Sequence, residues 1–309
     1  MEQPTSAITV GVTGANGRIG RVLADALAAC TLFQWRLFSY DLVPGTAPET
    51  IEAAKQERQQ QRREYIHVDL SDEEQVKGKF EGLDVVLHLA AWSEATPDLE
   101  DSTWKPILNN NIQATFNILR ECVRAKVKRV VFASTNHTQN GATVKNPFSP
   151  EGLDPVKVKQ VCFGESEEEA EEAAKQKKKQ GMQIEDVPFP DSLYAVSKLF
   201  GEDLGKLFAL QHGLEFVALR IGWIRLNDDP SDTRGTSAEE YMRAMYLSHR
   251  DAIGFFEKAL TAPIQPLTPG IPFMMCYACS NNGRKIWDMQ PSILRLGYAP
   301  LDDAEQFFS

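Results

Sequence analysis

Tyr194 and Lys198 have the residue types and the spacing that suit proton transfer. They lie in the run Leu193-Tyr194-Ala195-Val196-Ser197-Lys198. On a helix this spacing places both side chains on one face, one turn apart. An ammonium group beside a phenol favours the phenolate and so lowers the tyrosine pKa from its free value of about 10. Tyr194 is therefore a candidate general base near neutral pH, although the same spacing also occurs on ordinary solvated helices.

A glycine-rich turn near the start of the chain predicts a site for the phosphates of a dinucleotide. Residues 8–12 form an apolar run typical of a buried strand, and a helical pattern of apolar residues begins at Val22. Between them lies Thr13-Gly14-Ala15-Asn16-Gly17-Arg18-Ile19-Gly20. The glycines let the backbone approach a pyrophosphate, and the N-terminus of the helix offers N–H groups and a positive dipole end. Strand, turn and helix predict a Rossmann-type α/β fold with a doubly wound parallel sheet.

Polar residues follow two other predicted strands. The apolar run at residues 130–133 leads into Ser134-Thr135-Asn136-His137. Ligands bind at the carboxyl ends of parallel strands, so this cluster is expected in the active site rather than in an ordinary turn. Asp41 follows the predicted strand at residues 35–40, where a carboxylate accepts hydrogen bonds from ribose hydroxyls and repels a 2′-phosphate. The predicted cofactor is therefore NAD rather than NADP.

The composition is that of a soluble globular enzyme. The chain has 309 residues, of which 42% are hydrophobic and 25% charged, so it can bury a sizeable core. The net charge of −10 argues against nucleic acid or an anionic membrane as partner. No apolar run is long enough to span a bilayer, and the first residues lack the features of a signal peptide. A cytoplasmic location is expected.

The cysteine pattern predicts reduced thiols and no metal site. The cysteines are Cys30, Cys122, Cys162, Cys276 and Cys279. Cys30 and Cys122 lie in apolar helical patterns, where core thiols are expected. Cys276 and Cys279 form a lone pair, whereas a structural zinc site requires further cysteines or histidines close by.

The chain is predicted to be one unit, residues 1–309, with a Rossmann core at about 6–222 and a substrate lobe mainly at 223–309. Further strands are expected at residues 66–70, 85–89 and 215–220. Two polar insertions, 46–63 and 157–186, interrupt the core. Their charge patterns favour solvated helices, and a partner-binding role for them is left open.

The glycine spacing, with Tyr-x-x-x-Lys downstream, resembles the extended branch of the short-chain dehydrogenase/reductase superfamily. Within it, residues 132–138 (Phe-Ala-Ser-Thr-Asn-His-Thr) are similar to a run of the uronate dehydrogenases. Residues 244–251 (Ala-Met-Tyr-Leu-Ser-His-Arg-Asp) resemble a haloarchaeal group that includes an NAD-dependent glucose-6-phosphate dehydrogenase. The resemblance covers nearly the whole chain apart from the two insertions.

The resemblance assigns roles to particular residues. It implies that Thr135 hydrogen-bonds the reacting oxygen and that Tyr194 is the base. It also implies that Lys198 lowers the pKa of that base and binds the nicotinamide ribose, while Asn111 supports the site. The cofactor-binding residues from the turn and the resemblance are Gly14, Asn16, Gly17, Arg18, Ile19, Gly20, Asp41, Asp69, Leu70, Leu89, Ala90, Ala91, Tyr194, Lys198 and Ile221. The implied substrate-binding residues are Ser93, Asn136, His137, Arg234 and Arg243.

Two departures from the uronate dehydrogenase pattern bear on the substrate. Trp223 stands where those enzymes carry a serine, and Tyr241 where they carry a carboxylate-binding arginine. Arg234, Arg243 or Arg225 can serve an anion instead, and an arginine fork suits either a carboxylate or a phosphate. The predicted reaction is NAD-dependent oxidation of a sugar or sugar-acid hydroxyl to a lactone. The expected substrate is a hexuronate or hexose phosphate oxidised at its anomeric hydroxyl.

Two other functions stay open from the sequence. A nucleotide-sugar epimerase or dehydratase has the same fold and retains its NAD tightly, because it regenerates the cofactor. A non-catalytic NAD-binding scaffold or sensor is expected to lack the tyrosine or the lysine, and both are present. The expected partner is a small sugar acid or sugar phosphate, with no nucleic acid and no membrane, and assembly into a homo-oligomer is left open.

Overall fold

The computed structural model of the protein describes residues 8–29, 39–40, 66–93, 101–143 and 183–309. Its strands are β1 (Val10–Thr13), β2 (Ser39–Tyr40), β3 (Val85–His88), β4 (Arg129–Thr135), β5 (Glu215–Ile221) and β6 (Phe273–Ala278). Its α-helices are α1 (Arg18–Ala29), α2 (Glu73–Val76), α3 (Asp101–Ile107), α4 (Ala114–Arg124), α5 (His137–Thr143), α6 (Leu193–His212), α7 (Glu239–Met245), α8 (His249–Thr261) and α9 (Gln290–Leu296). A π-helical turn, Leu108–Gln113, joins α3 to α4, and 3-10 turns cover Ser231–Thr233 and Ala304–Phe307.

The described strands form one parallel sheet in the order β2-β1-β3-β4-β5-β6. In its register, Val12 of β1 lies between Ser39 of β2 and Leu87 of β3. The chain runs outward from β1 to β2 and then returns to the other side of β1. A parallel sheet opens a ligand-binding crevice at such a reversal, beyond the carboxyl ends of its strands. The predicted Rossmann-type doubly wound sheet is confirmed.

Helix α6 lies unusually close to the centre of the sheet. It begins at the N-cap Ser192, whose Oγ accepts a hydrogen bond from the Ala195 N–H at 3.2 Å. Where it crosses β4, Gly201 leaves the helix without a side chain, and a Cβ there would lie 2.4 Å from the Phe132 Cζ. This close packing holds the first turns of α6, which carry Tyr194 and Lys198, beside the end of β4.

Residues 66–70 form a loop, so the prediction of a strand there is wrong. Val68 and Leu70 are buried, as they would be in a strand. The loop is held from α4, because the Asn117 side-chain amide donates hydrogen bonds to the carbonyls of Leu70 (3.0 Å) and Ser71 (2.9 Å). A side chain thus satisfies backbone groups that a neighbouring strand would otherwise pair.

The C-terminal part of the chain, which was predicted as a substrate lobe, contributes a strand to the core sheet. Strand β6 pairs in parallel with β5, from Phe216 opposite Phe273 to Ile221 opposite Ala278. All of its residues are buried, as expected for a strand covered on both faces. Residues 223–309 therefore supply the last strand of the core sheet, and they also contain α7, which contacts the candidate site.

The second predicted insertion, 157–186, ends inside the core. Its larger part and the whole of 46–63 lie outside the described residues. Ile184, however, is only 1% exposed, and its carbonyl accepts a hydrogen bond from the buried Arg220 Nη1 at 3.2 Å. The Tyr277 hydroxyl donates to the neighbouring Gln183 carbonyl at 3.1 Å. Residues 183–184, at the end of the predicted insertion, thus pack against the core. The charged stretch for which a solvated helix was predicted, 164–181, lies outside the described residues.

The cysteines within the described residues are free and buried. They are Cys122, Cys276 and Cys279, while Cys30 and Cys162 lie outside the description. Burial raises the pKa of the Cys276 thiol to about 12. Across the described segments, no group of three or more His, Cys, Asp or Glu side chains is placed to hold a metal ion. No helix in these segments combines the length and the apolar character needed to cross a membrane.

Candidate active site

The turn between β1 and α1 forms a narrow backbone cradle at the crevice of the sheet. Gly14 has a φ of +72°, and a Cβ there would lie 2.6 Å from the Ala90 backbone nitrogen. The Gly17 N–H closes the turn on the Gly14 carbonyl at 3.0 Å. Asn16 is partly exposed and Arg18, the first residue of α1, is exposed. A glycine turn that leads into a helix N-terminus suits a pyrophosphate, and any side chain at Gly14 would close it.

A buried histidine ties the two sides of this crevice together. His88, the last residue of β3, lies 2.8 Å from Thr13 through Nδ1 and 3.0 Å from Thr115 through Nε2. Burial lowers the pKa of His88 to about 3, with a smaller lowering from Lys198, so the ring is neutral. The Ala90 N–H donates to the Thr13 hydroxyl at 3.3 Å. His88 thus fixes the position of Leu89, Ala90 and Ala91 opposite the glycine turn.

The residues predicted to face the adenine lie in the loop that follows residue 66. Leu70 is buried, and Asp69 is partly buried. The Asp69 carboxylate accepts hydrogen bonds from the Ser71 N–H (2.8 Å) and hydroxyl (2.6 Å). The loop is held by Asn117, which the sequence reasoning did not assign to the site. Asp41, the residue on which the choice of NAD over NADP depends, lies outside the described residues.

Thr135, Tyr194 and Lys198 come together at the carboxyl end of β4. A side-chain hydrogen bond joins Thr135 to Tyr194. The Lys198 ammonium lies 5.7 Å from the centre of the Tyr194 ring and 4.8 Å from that of Phe132. Tyr194 is half-buried and Lys198 is buried. The structure therefore groups the residues predicted for catalysis.

The pKa of Tyr194 differs from the expectation. Burial raises it to about 12, although the hydrogen bond from Thr135 and the charge of Arg18 act in the opposite direction. Burial also lowers the pKa of Lys198 to about 7, against the opposing charge of Glu202. The prediction that Lys198 brings the pKa of Tyr194 below its free value is wrong here, because loss of hydration outweighs an ammonium held over Phe132.

Asn111 links the loop after β3 to α6. It lies in the π-helical turn, and such turns are frequent at functional sites. Its amide donates to the Ser197 hydroxyl at 2.8 Å and to the Trp92 carbonyl at 3.0 Å, and its Oδ1 accepts from the Trp92 N–H at 2.7 Å. Ser93, predicted to bind substrate, is exposed at the end of this loop. Asn111 thus holds the loop of Ser93 against the helix of Tyr194.

A network of amide and hydroxyl groups extends from the end of β4 to α7. The Asn136 amide donates to Asn140 Oδ1 at 3.1 Å and to the Tyr241 hydroxyl, which in turn donates to Asn140 Oδ1. The backbone N–H of Asn136 donates to the carbonyl of Ile221, at the end of β5, at 3.0 Å. The Trp223 ring meets the Tyr241 ring edge-on, with 5.3 Å between centroids. Tyr241 thereby joins α7 to α5, with Trp223 beside it.

His137 and Asp191 form a second part of this network. His137 Nδ1 lies 2.7 Å from Asp191 Oδ2, and the Asn140 amide donates to the same oxygen at 2.9 Å. Burial tends to raise the pKa of Asp191, but the bonds from His137, Asn140 and Ser192 outweigh it and lower the pKa, so the carboxylate is ionised. The His137 and Tyr194 rings meet edge-on at 6.0 Å between centroids. This pair therefore lies directly beside the proposed base.

The arginines predicted to bind substrate are held by other groups. Arg243 donates to Glu239 at 2.9 Å and to Glu305 at 3.1 Å. It lies two positions after Tyr241 on α7, so the two side chains leave the helix on different faces. Arg234 is exposed and donates to the Phe307 carbonyl at 2.6 Å. Within the described residues, neither arginine is brought to Asn136 and His137.

Sequence reasoning missed Asn140 and Asp191, and it did not include Tyr241 among the site residues. A helix that starts directly after β4 places Asn140 one turn after Asn136, and this spacing is the signal that could have found it. Asp191 precedes Ser192, which caps α6, so it was open to detection as a residue at the start of the Tyr194 helix. Tyr241 was noted only as a departure from the family pattern, because its contact with Asn136 joins residues 105 positions apart.

The glycine cradle and the grouped tyrosine, lysine and threonine define a class of nucleotide-dependent enzymes. The chain belongs to the NAD dependent epimerase/dehydratase family, whose model matches residues 10–225. The match runs from β1 through β5 and ends before β6. The predicted resemblance to the extended short-chain dehydrogenases is confirmed.

Three proteins that are similar to this chain over nearly its whole length are named as dehydrogenases. The L-arabinose 1-dehydrogenase (NAD(P)(+)) of Haloferax volcanii is 30% identical, over 96% of this chain and 97% of that protein. The NAD-dependent glucose-6-phosphate dehydrogenase of the same organism is 27% identical, over 99% and 96%. The crystal structure of glucuronic acid dehydrogenase from Chromohalobacter salexigens is 25% identical with a TM-score of 0.67, over 98% and 88%. The substrates in these names are a neutral sugar, a sugar phosphate and a sugar acid.

Proposed function

We propose that the protein oxidises the anomeric hydroxyl of a sugar or sugar acid with NAD and releases a lactone. The observation that carries the proposal is the grouping of Thr135, Tyr194 and Lys198 at the end of β4, beside the glycine turn. The three similar proteins described above support it, since each is named as a dehydrogenase of a sugar or sugar derivative. A cytoplasmic location remains a prediction.

The residues present fit NAD. The turn at Gly14 and Gly17 and the N-terminus of α1 receive the pyrophosphate. The loop with Leu70 would hold the adenine end, and Lys198 would hydrogen-bond the nicotinamide ribose. Bound nicotinamide supplies the acceptor for the hydride that leaves the substrate carbon.

Side chains of the protein accept the proton that the substrate loses. Thr135 donates a hydrogen bond to the reacting hydroxyl oxygen, and Tyr194 accepts the proton of that hydroxyl. As the O–H and C–H bonds break, the substrate carbon becomes the carbonyl of the lactone. Burial raises the pKa of Tyr194 to about 12. When Thr135 donates its one proton to the substrate oxygen instead of to Tyr194, the nearby charge of Arg18 is the described contact that still favours the phenolate.

Substitution of Tyr194 tests the proposal directly. In Tyr194→Phe, NADH formation with a panel of sugars should fall by about 10²–10⁴-fold, because the proton acceptor is lost. NAD binding, measured by titration calorimetry, should stay close to wild type. Tyr298→Phe is a matched control, since that hydroxyl binds Asp251 on α8 and not the site. Retention of most of kcat in Tyr194→Phe would contradict the role.

The cofactor preference is tested separately. We propose that NAD is preferred over NADP because the carboxylate of Asp41 repels a 2′-phosphate. The kcat/KM values with the two cofactors should differ in favour of NAD, and Asp41→Ala should narrow the difference. Equal use of NADP by the wild type would contradict it, and the arabinose dehydrogenase, whose name includes both cofactors, makes the comparison informative.

A nucleotide-sugar epimerase or dehydratase is the second candidate, favoured by the description of the family model. Such an enzyme returns the hydride to its product, so it makes no net NADH and keeps NAD through purification. Detection of bound NAD in the purified protein, together with no NADH formation from any free sugar, would favour it. The presence of Tyr194 and Lys198 argues against a non-catalytic scaffold or sensor.

A further inference from the structure

We propose that the sugar oxidised by this enzyme is a neutral aldose, and that hexuronates and hexose phosphates are poor substrates. The inference rests on the proposed function and narrows it to one class of substrate. It departs from the expectation of an anionic substrate, and four features of the described site carry it.

The first feature is the chemistry of the groups beside Tyr194. Asn136, Asn140 and Tyr241 offer neutral amide and hydroxyl groups that are joined in one network. Asp191 contributes a carboxylate oxygen that lies 2.7 Å from His137 Nδ1. Amides and carboxylates suit the hydroxyl groups of a sugar, which both donate and accept hydrogen bonds. A carboxylate or phosphate on the substrate would meet Asp191 as a like charge.

The second feature is that the arginines between residues 225 and 250, on either side of Tyr241, are already paired with other groups. Arg225 binds Asp232, and Arg250 binds Asp302. Arg243 binds both Glu239 and Glu305, and Arg234 donates to the Phe307 carbonyl at 2.6 Å. An arginine that is held by carboxylates offers little net charge to a further anion. In the described part of the chain, none of these four supplies an arginine fork to the network around Asn136.

The third feature is the placement of the cations that do lie near Tyr194. Lys198 is buried on α6, with its ammonium 4.8 Å from the centre of the Phe132 ring. Arg18 influences Tyr194 from the start of α1, at the glycine turn. Both belong to the side of the crevice that receives the dinucleotide. Their charge therefore complements the cofactor phosphates rather than a group at the far end of the sugar.

The fourth feature is the aromatic pair at that far end. Trp223 and Tyr241 meet edge-on at 5.3 Å between centroids. Each presents an apolar ring with one polar tip, a combination that matches a surface made of C–H groups and hydroxyls. A neutral sugar has such a surface, whereas an anion would lose hydration against these rings without a cation in return.

The decisive experiment compares each neutral hexose with counterparts that carry a charged group at C6. The full-length protein is assayed for NADH formation with D-galactose against D-galacturonate, and with D-glucose against D-glucuronate and glucose 6-phosphate. L-Arabinose is included as a smaller neutral aldose. We expect kcat/KM for the better neutral sugar to exceed that of its charged counterpart by about tenfold or more, which corresponds to ~1.4 kcal/mol. An equal or higher value for the charged sugar overturns the inference while leaving the proposed function intact. No oxidation of any sugar overturns both.

Substitutions test which residues set the preference for neutral over charged sugars. Tyr241→Arg places a guanidinium beside Asn136 and should shift the kcat/KM ratio toward D-galacturonate by about tenfold or more. Tyr241→Phe keeps the ring and should raise KM for the neutral sugar, with KM for NAD unchanged. Arg250→Ala is a control that should leave the charge preference as in wild type. A selective loss of uronate or phosphate oxidation in Arg234→Ala or Arg243→Ala would show that these arginines hold a substrate anion, and would overturn the inference.

Discussion

At the scale of single residues, the site combines a candidate base that is mostly protonated at neutral pH with strongly ordered surroundings. Tyr194 receives a hydrogen bond contact from Thr135, yet burial still raises its pKa to about 12. Lys198 is close enough to hold the cofactor ribose but is itself driven toward the neutral form by burial. The phenolate is therefore scarce at neutral pH, and the ability of Tyr194 to accept a proton depends on pH.

The scarcity of the Tyr194 phenolate at neutral pH predicts how the rate of sugar oxidation depends on pH. The phenol can accept a proton only when it is deprotonated, and its deprotonated fraction increases as pH rises toward the raised pKa of about 12. We therefore expect kcat/KM to rise with pH from the neutral into the alkaline range. Lys198, whose pKa is about 7, loses its charge over the same range and should make the rise shallower. Initial rates in overlapping buffers measure kcat/KM as a function of pH. An optimum on the acidic side of neutrality would contradict the predicted rise.

The Asp191 carboxylate is predicted to position His137 for the sugar. Asp191→Asn removes an ionised partner 2.7 Å from Nδ1 and with it a charge-assisted hydrogen bond of roughly 1.5–3 kcal/mol. KM for the sugar should rise by about tenfold or more, while KM for NAD stays unchanged. Asp232→Asn, which alters a carboxylate paired with Arg225 outside the network, is the control. A rise in both KM values would indicate a general loss of structure instead.

At the scale of elements, α6 joins the reaction centre to the core of the sheet. Glu202 lies one turn after Lys198 and is buried with Arg220 of β5, to which it is bound at 2.8 and 2.9 Å. It also accepts a hydrogen bond from the Ser134 hydroxyl at 2.5 Å. The Glu202 carboxylate thus connects the helix that carries Tyr194 with both strands beneath it.

Glu202→Gln should strongly destabilise the fold. The buried guanidinium of Arg220 would lose its counter-charge, and breaking such a pair costs about 3–5 kcal/mol. Asp203→Asn, on the next residue of the same helix, removes an exposed pair with Lys206 and should cost only about 0–1 kcal/mol. Urea-induced unfolding of the two variants measures the difference. Equal losses would mean that the Glu202 pair contributes no more than a surface pair.

The elements that were predictable share a strong local pattern. The strand at β1, the glycine turn, β4 and the start of α6 each follow from residues adjacent in sequence, and the structure has all of them. The wrong strand at residues 66–70 shows the limit, since its apolar residues are indeed buried. What decides its conformation is Asn117, whose amide reaches the Leu70 carbonyl from 47 positions away. Spacing along the chain carries no information about such a contact.

At the scale of the whole molecule, the glycine turn could be predicted from the sequence, whereas the network that joins Asn136, Asp191 and Tyr241 could not. The glycine turn between β1 and α1 consists of residues adjacent in sequence. The opposite side of the site consists of Asn136, which follows β4, Asp191, which precedes α6, and Tyr241 of α7. The contact between Asn136 and Tyr241 spans 105 positions. Residues so far apart meet only because the sheet brings their elements to one edge.

The place of β6 in the sheet has a practical consequence for any shortened form of this protein. The family match ends at residue 225, which invites a fragment that stops there. Such a fragment would lose β6 and leave the backbone of β5 unpaired from Phe216 to Ile221. An unpaired, apolar strand edge is a template for joining other chains. Residues 1–225 made alone should therefore collect in the insoluble fraction, whereas the full chain should remain in solution.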